Sequence, residues 1–107
     1  MDKITVFAIF AGLAIGVSTA AIASTAISQK DKAFSQESVT VKAGEKIKFV
    51  NDDEVTHNIT VTGPNGASRP GVQEKPGSEI ELAFDDVGVN VVRCLIHPKM
   101  KLTVEVQ

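Results

Sequence analysis

The stretch Val-Asn-Val-Val-Arg-Cys-Leu-Ile-His-Pro-Lys-Met, residues 89–100, starts as a strand and ends as a loop. Residues 89–93 are dominated by β-branched side chains, which favour extended backbone. Pro98 argues against continuing residues 94–100 as a helix. Proline lacks the backbone donor and pushes the preceding residue toward extended conformations. A strand leading into a short loop is expected here.

The same period-two signature recurs on both sides of this segment. Residues 38–42 set Val39 and Val41 on one face, Ala43-Gly44-Glu45 supplies turn chemistry, and residues 46–50 alternate Lys46 and Lys48 with Ile47 and Phe49. This pattern predicts two strands joined by a tight turn. Residues 57–61 align His57, Ile59 and Val61, residues 80–84 align Ile80, Leu82 and Phe84, and Leu102, Val104 and Val106 repeat the pattern. Residues 25–30 add a first strand with weak alternation. Residues 62–78 are rich in Gly, Pro, Asn and Ser, and read as a long irregular connection.

No convincing helical period follows the amino-terminal segment. Six or seven short strands must then cover one another's apolar faces, as two packed sheets or a flattened barrel do. Phe34, Phe49 and Phe84 are the large aromatic core candidates, and the remaining core is Val, Ile and Leu.

Residues 4–23 form an apolar run preceded by Lys3 and closing on Ala21-Ile22-Ala23, the anatomy of a secretory signal peptide. The predicted organisation is a signal segment over residues 1–23 and one domain over residues 24–107. If the segment stays attached, it is long enough to act as a membrane anchor. An exported, periplasmic location is expected, with membrane association only in the anchored case. The net charge of −2 offers no basic stripe for nucleic acid. Cys94 is the only cysteine, so it cannot form an internal disulfide. An unpaired thiol in an exported protein calls for a partner or a protective role, and a metal supplies one.

Cys94, His97 and Met100 recur at three-residue intervals, and His57 is the only other histidine. Outside the signal segment these four residues exhaust the cysteine, histidine and methionine of the chain. Two imidazoles, one thiolate and a weak axial thioether form the ligand set of a blue copper electron-transfer site. Structural zinc accepts Cys and His, but a thioether is a poor fourth ligand for it. Taken singly, a histidine on an apolar strand or a buried cysteine is an ordinary core residue; the combination is what points to a metal.

His57-Asn58 after a Lys-Phe-Val-Asn strand, together with Cys-Leu-Ile-His-Pro-Lys-Met near the carboxyl end, resembles the cupredoxin family of blue copper proteins. Within that family the chain is most similar to amicyanin-like and plastocyanin-like members, and the compact Cys-x-x-His-x-x-Met spacing is the amicyanin-like length, whereas plastocyanin-like members carry a longer spacing between the last ligands. The resemblance implies a Greek-key β-sandwich, one copper ion cycling between Cu(II) and Cu(I), His57, Cys94 and His97 as equatorial ligands and Met100 as the axial one. It also implies that Asn58 braces the ligand loop and that the His97 edge is the port for electrons, within a docking surface including Val55, Ile96, Pro98 and Lys99. Redox partners docking near His97, a dehydrogenase or a cytochrome, are expected for a monomeric carrier. Lys99 stands where amicyanin-like members carry an aromatic residue. Asn90 has inward parity where similar proteins place an aromatic.

The expected function is one-electron transfer by a protein that is not an enzyme, since no spare acid or base lies near the ligands. The alternative is a periplasmic copper carrier or buffer, for which the acidic run Asp52-Asp53-Glu54 is the one supporting feature. A solvated turn is the simpler reading of that run.

Overall fold

A computed structural model describes residues 25–107 and contains nine strands and no helix among them. The expected signal segment lies outside the described residues. The strands are β1 (Thr25–Lys30), β2 (Ala33–Phe34), β3 (Ser38–Val41), β4 (Glu45–Asn51), β5 (His57–Thr62), β6 (Val72–Glu74), β7 (Glu79–Phe84), β8 (Gly88–Arg93) and β9 (Lys101–Val106). They form a four-stranded sheet in the order β2-β1-β4-β7 and a five-stranded sheet in the order β3-β9-β8-β5-β6. The all-β, two-sheet architecture is the one expected from sequence.

Burial follows the period-two pattern closely. β5 alternates buried and half-buried residues from His57 onward, and β9 buries Leu102, Val104 and Val106. Ile27, Ile47, Phe49 and Phe84 of the first sheet meet Val41, Ile59, Val61, Val92 and the three β9 residues of the second. Phe49 is fully buried and lies at the centre of the aromatic group, 6.4 Å from Phe34 and 6.5 Å from Phe84 between ring centroids.

Three sequence expectations change, the first being the strand count, nine where six or seven were expected. The turn at residues 42–44 joins β3 to β4, but the two do not pair. β3 runs parallel to β9, whereas β4 pairs with β1 and β7, so the turn carries the chain from one sheet to the other. Gly44, at φ 93°, supplies the left-handed backbone this corner needs. The segment 62–78 is only partly irregular, because β6 within it pairs with the first half of β5. Asn90 does point inward and is 1% exposed. Its amide donates to the carbonyls of Asp86 and Gly88, which satisfies it within its own turn.

Candidate metal centre

β5 and the loop after β8 meet at one end of the sandwich. His57 opens β5 and is fully buried, and Cys94 follows the last residue of β8 and is also fully buried. The loop from Cys94 to Met100 is two successive turns, with the His97 amide donating to the Cys94 carbonyl (3.2 Å) and the Met100 amide to the His97 carbonyl (2.9 Å). Pro98 occupies the second position of the second turn, where its fixed φ is favourable. The turns curl His97 back over Cys94 and return the chain to β9.

His57 Nδ1 lies 3.2 Å from His97 Nδ1, and Cys94 Sγ lies 3.8 Å and 3.7 Å from these two nitrogens. The centre of that triangle is about 2.1 Å from each atom, which matches metal–imidazole bonds and falls slightly short of metal–thiolate bonds. When the thiol is ionised and the rings are neutral, three acceptors face one point, an arrangement that a bound cation relieves. The donor set, two imidazoles and one thiolate, fits copper. Met100 follows within the same loop and is 2% exposed. Its backbone bond to His97 ties it to the centre, while its burial alone is equally that of a core side chain.

The surrounding shell is built from β5 and from the loop between β4 and β5. The Asn58 amide donates to Cys94 Sγ at 3.2 Å and so fixes the sulfur's position. Asn58 Oδ1 accepts from Thr60 Oγ1 at 2.6 Å and, more weakly, from the Leu95 amide at 3.4 Å. Asn58 therefore braces the ligand loop, as the family resemblance implies. The Nε2 atom of His57 is 2.9 Å from Asp53 Oδ2, which also accepts the Lys32 amide at 2.9 Å. These bonds hold the Asp53 carboxyl well below the usual carboxylate range, the Lys32 amide contributing most. The proton of His57 is thereby drawn to Nε2, leaving the Nδ1 lone pair facing Cys94.

Sequence reasoning missed this role of Asp53, treating its run as a solvated turn. The four-residue offset between Asp53 and His57 was the available signal. The Lys32 amide reaches Asp53 from the β1–β2 turn, where Asp31 and Lys32 both adopt left-handed backbone at φ 53° and 56°. Such two-residue hairpins favour Asn-Gly, so an Asp-Lys pair is strained there.

A second buried polar group lies beside β5 and was also missed. Gln29 and Glu74 are 0% and 1% exposed, with Gln29 Nε2 donating to Glu74 Oε1 at 2.6 Å. Glu74 is the cross-strand neighbour of His57. Burial pushes its carboxyl up, with the Gln29 hydrogen bond opposing that shift. Asn51 completes the support, donating to the carbonyls of Val55 and Glu74 and accepting the Asp53 amide.

Comparison with known proteins agrees with this geometry. A family model described as copper binding proteins, plastocyanin/azurin family, matches residues 21–107. The methylamine utilization protein MauL of Methylorubrum extorquens is 31% identical over 65 residues, 61% of this chain and 57% of that protein. The matched region thus spans little more than half of that relative. Among solved structures, amicyanin from Paracoccus versutus superposes with a TM-score of 0.71 at 22% identity, covering 78% of this chain and 81% of amicyanin. A reduced Cu(I) form of an amicyanin variant at pH 4 gives 0.71 at 21% identity, covering 82% and 86%.

Proposed function

Because the chain belongs to the plastocyanin/azurin family of copper-binding proteins, we propose that it is a one-electron carrier whose copper is held by His57, Cys94, His97 and Met100. The convergence of His57 Nδ1, His97 Nδ1 and Cys94 Sγ within 4.8 Å of one another carries this reading. Copper, when bound, supplies a Cu(II)/Cu(I) couple. The chain's own residues do the rest. Asp53 orients His57, the Asn58 amide holds the Cys94 sulfur in place, and the two turns of residues 94–100 fix His97 and Met100 relative to both. A framework tied at this many points changes little between oxidation states, which suits a carrier rather than an enzyme.

His57 is fully buried while His97 is half-buried, so His97 offers the contact edge for donor and acceptor. The working domain is residues 24–107, exported to the periplasm after residues 1–23 direct it there. A setting in methylamine oxidation draws its support from the relative named for methylamine utilization; the partners proposed are a dehydrogenase, a cytochrome or both.

The test is the optical and paramagnetic spectrum of copper-loaded protein beside a Cys94→Ser variant. An intense blue absorption that the variant lacks, with reversible one-electron cycling, is the expected result. A colourless copper complex of the unaltered protein would rule the reading out.

A further inference from the structure

The metal end of the molecule is divided by charge. Arg93 and Lys101 are register partners on β8 and β9, and Lys101 shares a surface depression with Lys99, Glu37 and Thr103. All three cations are exposed, and among the described residues none lies in an ion pair. Acidic residues gather elsewhere: Asp52, Asp53 and Glu54 follow β4, and the latter two line a separate depression with Asp31, beside Lys30 and Lys32. Leu95 and Ile96, 66% and 50% exposed, stand in the same loop as His97 and Lys99. Two large apolar side chains this open beside local positive charge offer a desolvated contact with a charged border.

We propose that the redox partner docks on the Lys99 side of His97 through an acidic surface. Leu95 and Ile96 form the apolar contact, and Arg93, Lys99 and Lys101 form the cationic border. The inference rests on the electron-carrier reading and adds to it the chemistry of the partner. The chain as a whole carries −2, so net charge would repel an acidic partner. Attraction must therefore come from the local field, which dominates once surfaces are within roughly a Debye length, about 8 Å at physiological salt.

Hexacyanochromate(III), a redox-inert paramagnetic trianion, serves as the first probe. Added to the full chain, it is expected to broaden the amide resonances of Leu95, Ile96, Lys99 and Lys101, and to lose that effect in a Lys99→Glu/Lys101→Glu variant. Broadening that is absent, scattered, or centred elsewhere overturns the proposal. The second probe is hexacyanoferrate(III), which takes one electron from the Cu(I) protein and yields the Cu(II) protein and hexacyanoferrate(II). Its rate is expected to fall several-fold as salt rises, opposite to the trend net charge dictates, and to fall at least tenfold in the double variant at low salt. An Asp52→Lys control should leave the broadening site unchanged. Anion binding at the patch with no electron transferred defeats the carrier reading and leaves the surface standing. Rapid transfer that rises with salt defeats the surface and leaves the carrier standing.

Discussion

Asp53 Oδ2 lies 2.9 Å from Nε2 of His57, the imidazole nitrogen on the far side of the ring from Cys94. A carboxylate in this position fixes both the ring and its tautomer, and such partners commonly change metal affinity about 10–100-fold. Asp53→Ala is therefore expected to weaken copper binding by at least about tenfold, measured by competition with a chelator, while the absorption band keeps its position. Unchanged affinity would reduce Asp53 to a turn residue.

Met100 separates ligation from packing. Met100→Leu preserves an apolar side chain of similar volume, so stability should change by less than about 1.5 kcal/mol. If the thioether is the axial donor, its removal disfavours the more highly charged Cu(II), and voltammetry will show a higher reduction potential. Each tenfold change in the relative affinity for the two oxidation states is worth about 59 mV. A potential that does not move would identify Met100 as core alone.

Glu74 makes stability depend on pH in a definite direction. Its carboxyl is raised above 4.5 in the folded state, so the native protein keeps the proton after the unfolded chain has released it. Stability from this group is greatest below about 4.5 and declines as pH rises toward the folded value, levelling off beyond it. Urea unfolding of copper-free protein across this range should show that decline. In Glu74→Gln the decline should disappear, and the variant should be the more stable of the two at alkaline pH. Parallel pH profiles would contradict the assignment.

Phe49 tests the core. It is fully buried between Phe34 and Phe84, and truncation of such a ring costs about 3–5 kcal/mol. Phe49→Ala should lose that amount in chemical denaturation, or fail to fold without copper. A loss below about 1 kcal/mol would mean that the two sheets collapse freely onto the space, contrary to the close packing of protein interiors.

Strand positions and the cluster of His57, Cys94 and His97 were legible in the sequence because both rest on local or compositional signals. Alternation exposed β4, β5, β7 and β9 nearly to their ends, and the scarcity of Cys, His and Met isolated the loop at residues 94–100. Pairing was not legible. Nothing local says that β3 joins β9 rather than its neighbour β4, since a turn of the same composition serves a hairpin or a corner. Glu74 and Gln29 were hidden for a related reason. Each becomes buried through a partner distant in sequence, β6 against β5 and β1 against β4, and a charged residue in a Gly- and Pro-rich segment reads as surface. Asp53 was overlooked because its partner is the buried His57, and an acidic run before a strand is ordinarily solvated.

The parallel pairing of β3 with β9 joins residues 38–41 to residues 103–106. Nearly the whole described chain must close before that ladder forms, and folds dominated by such distant pairings assemble slowly, over milliseconds to seconds. Cys94 is fully buried in the folded sandwich, so its thiol gains that protection only as the fold closes. Slow closure is therefore expected to leave more of this thiol open to oxidation, a loss that thiol titration after refolding would measure. Any substitution that delays β9 should lower the yield of active protein while leaving the stability of correctly folded molecules largely intact.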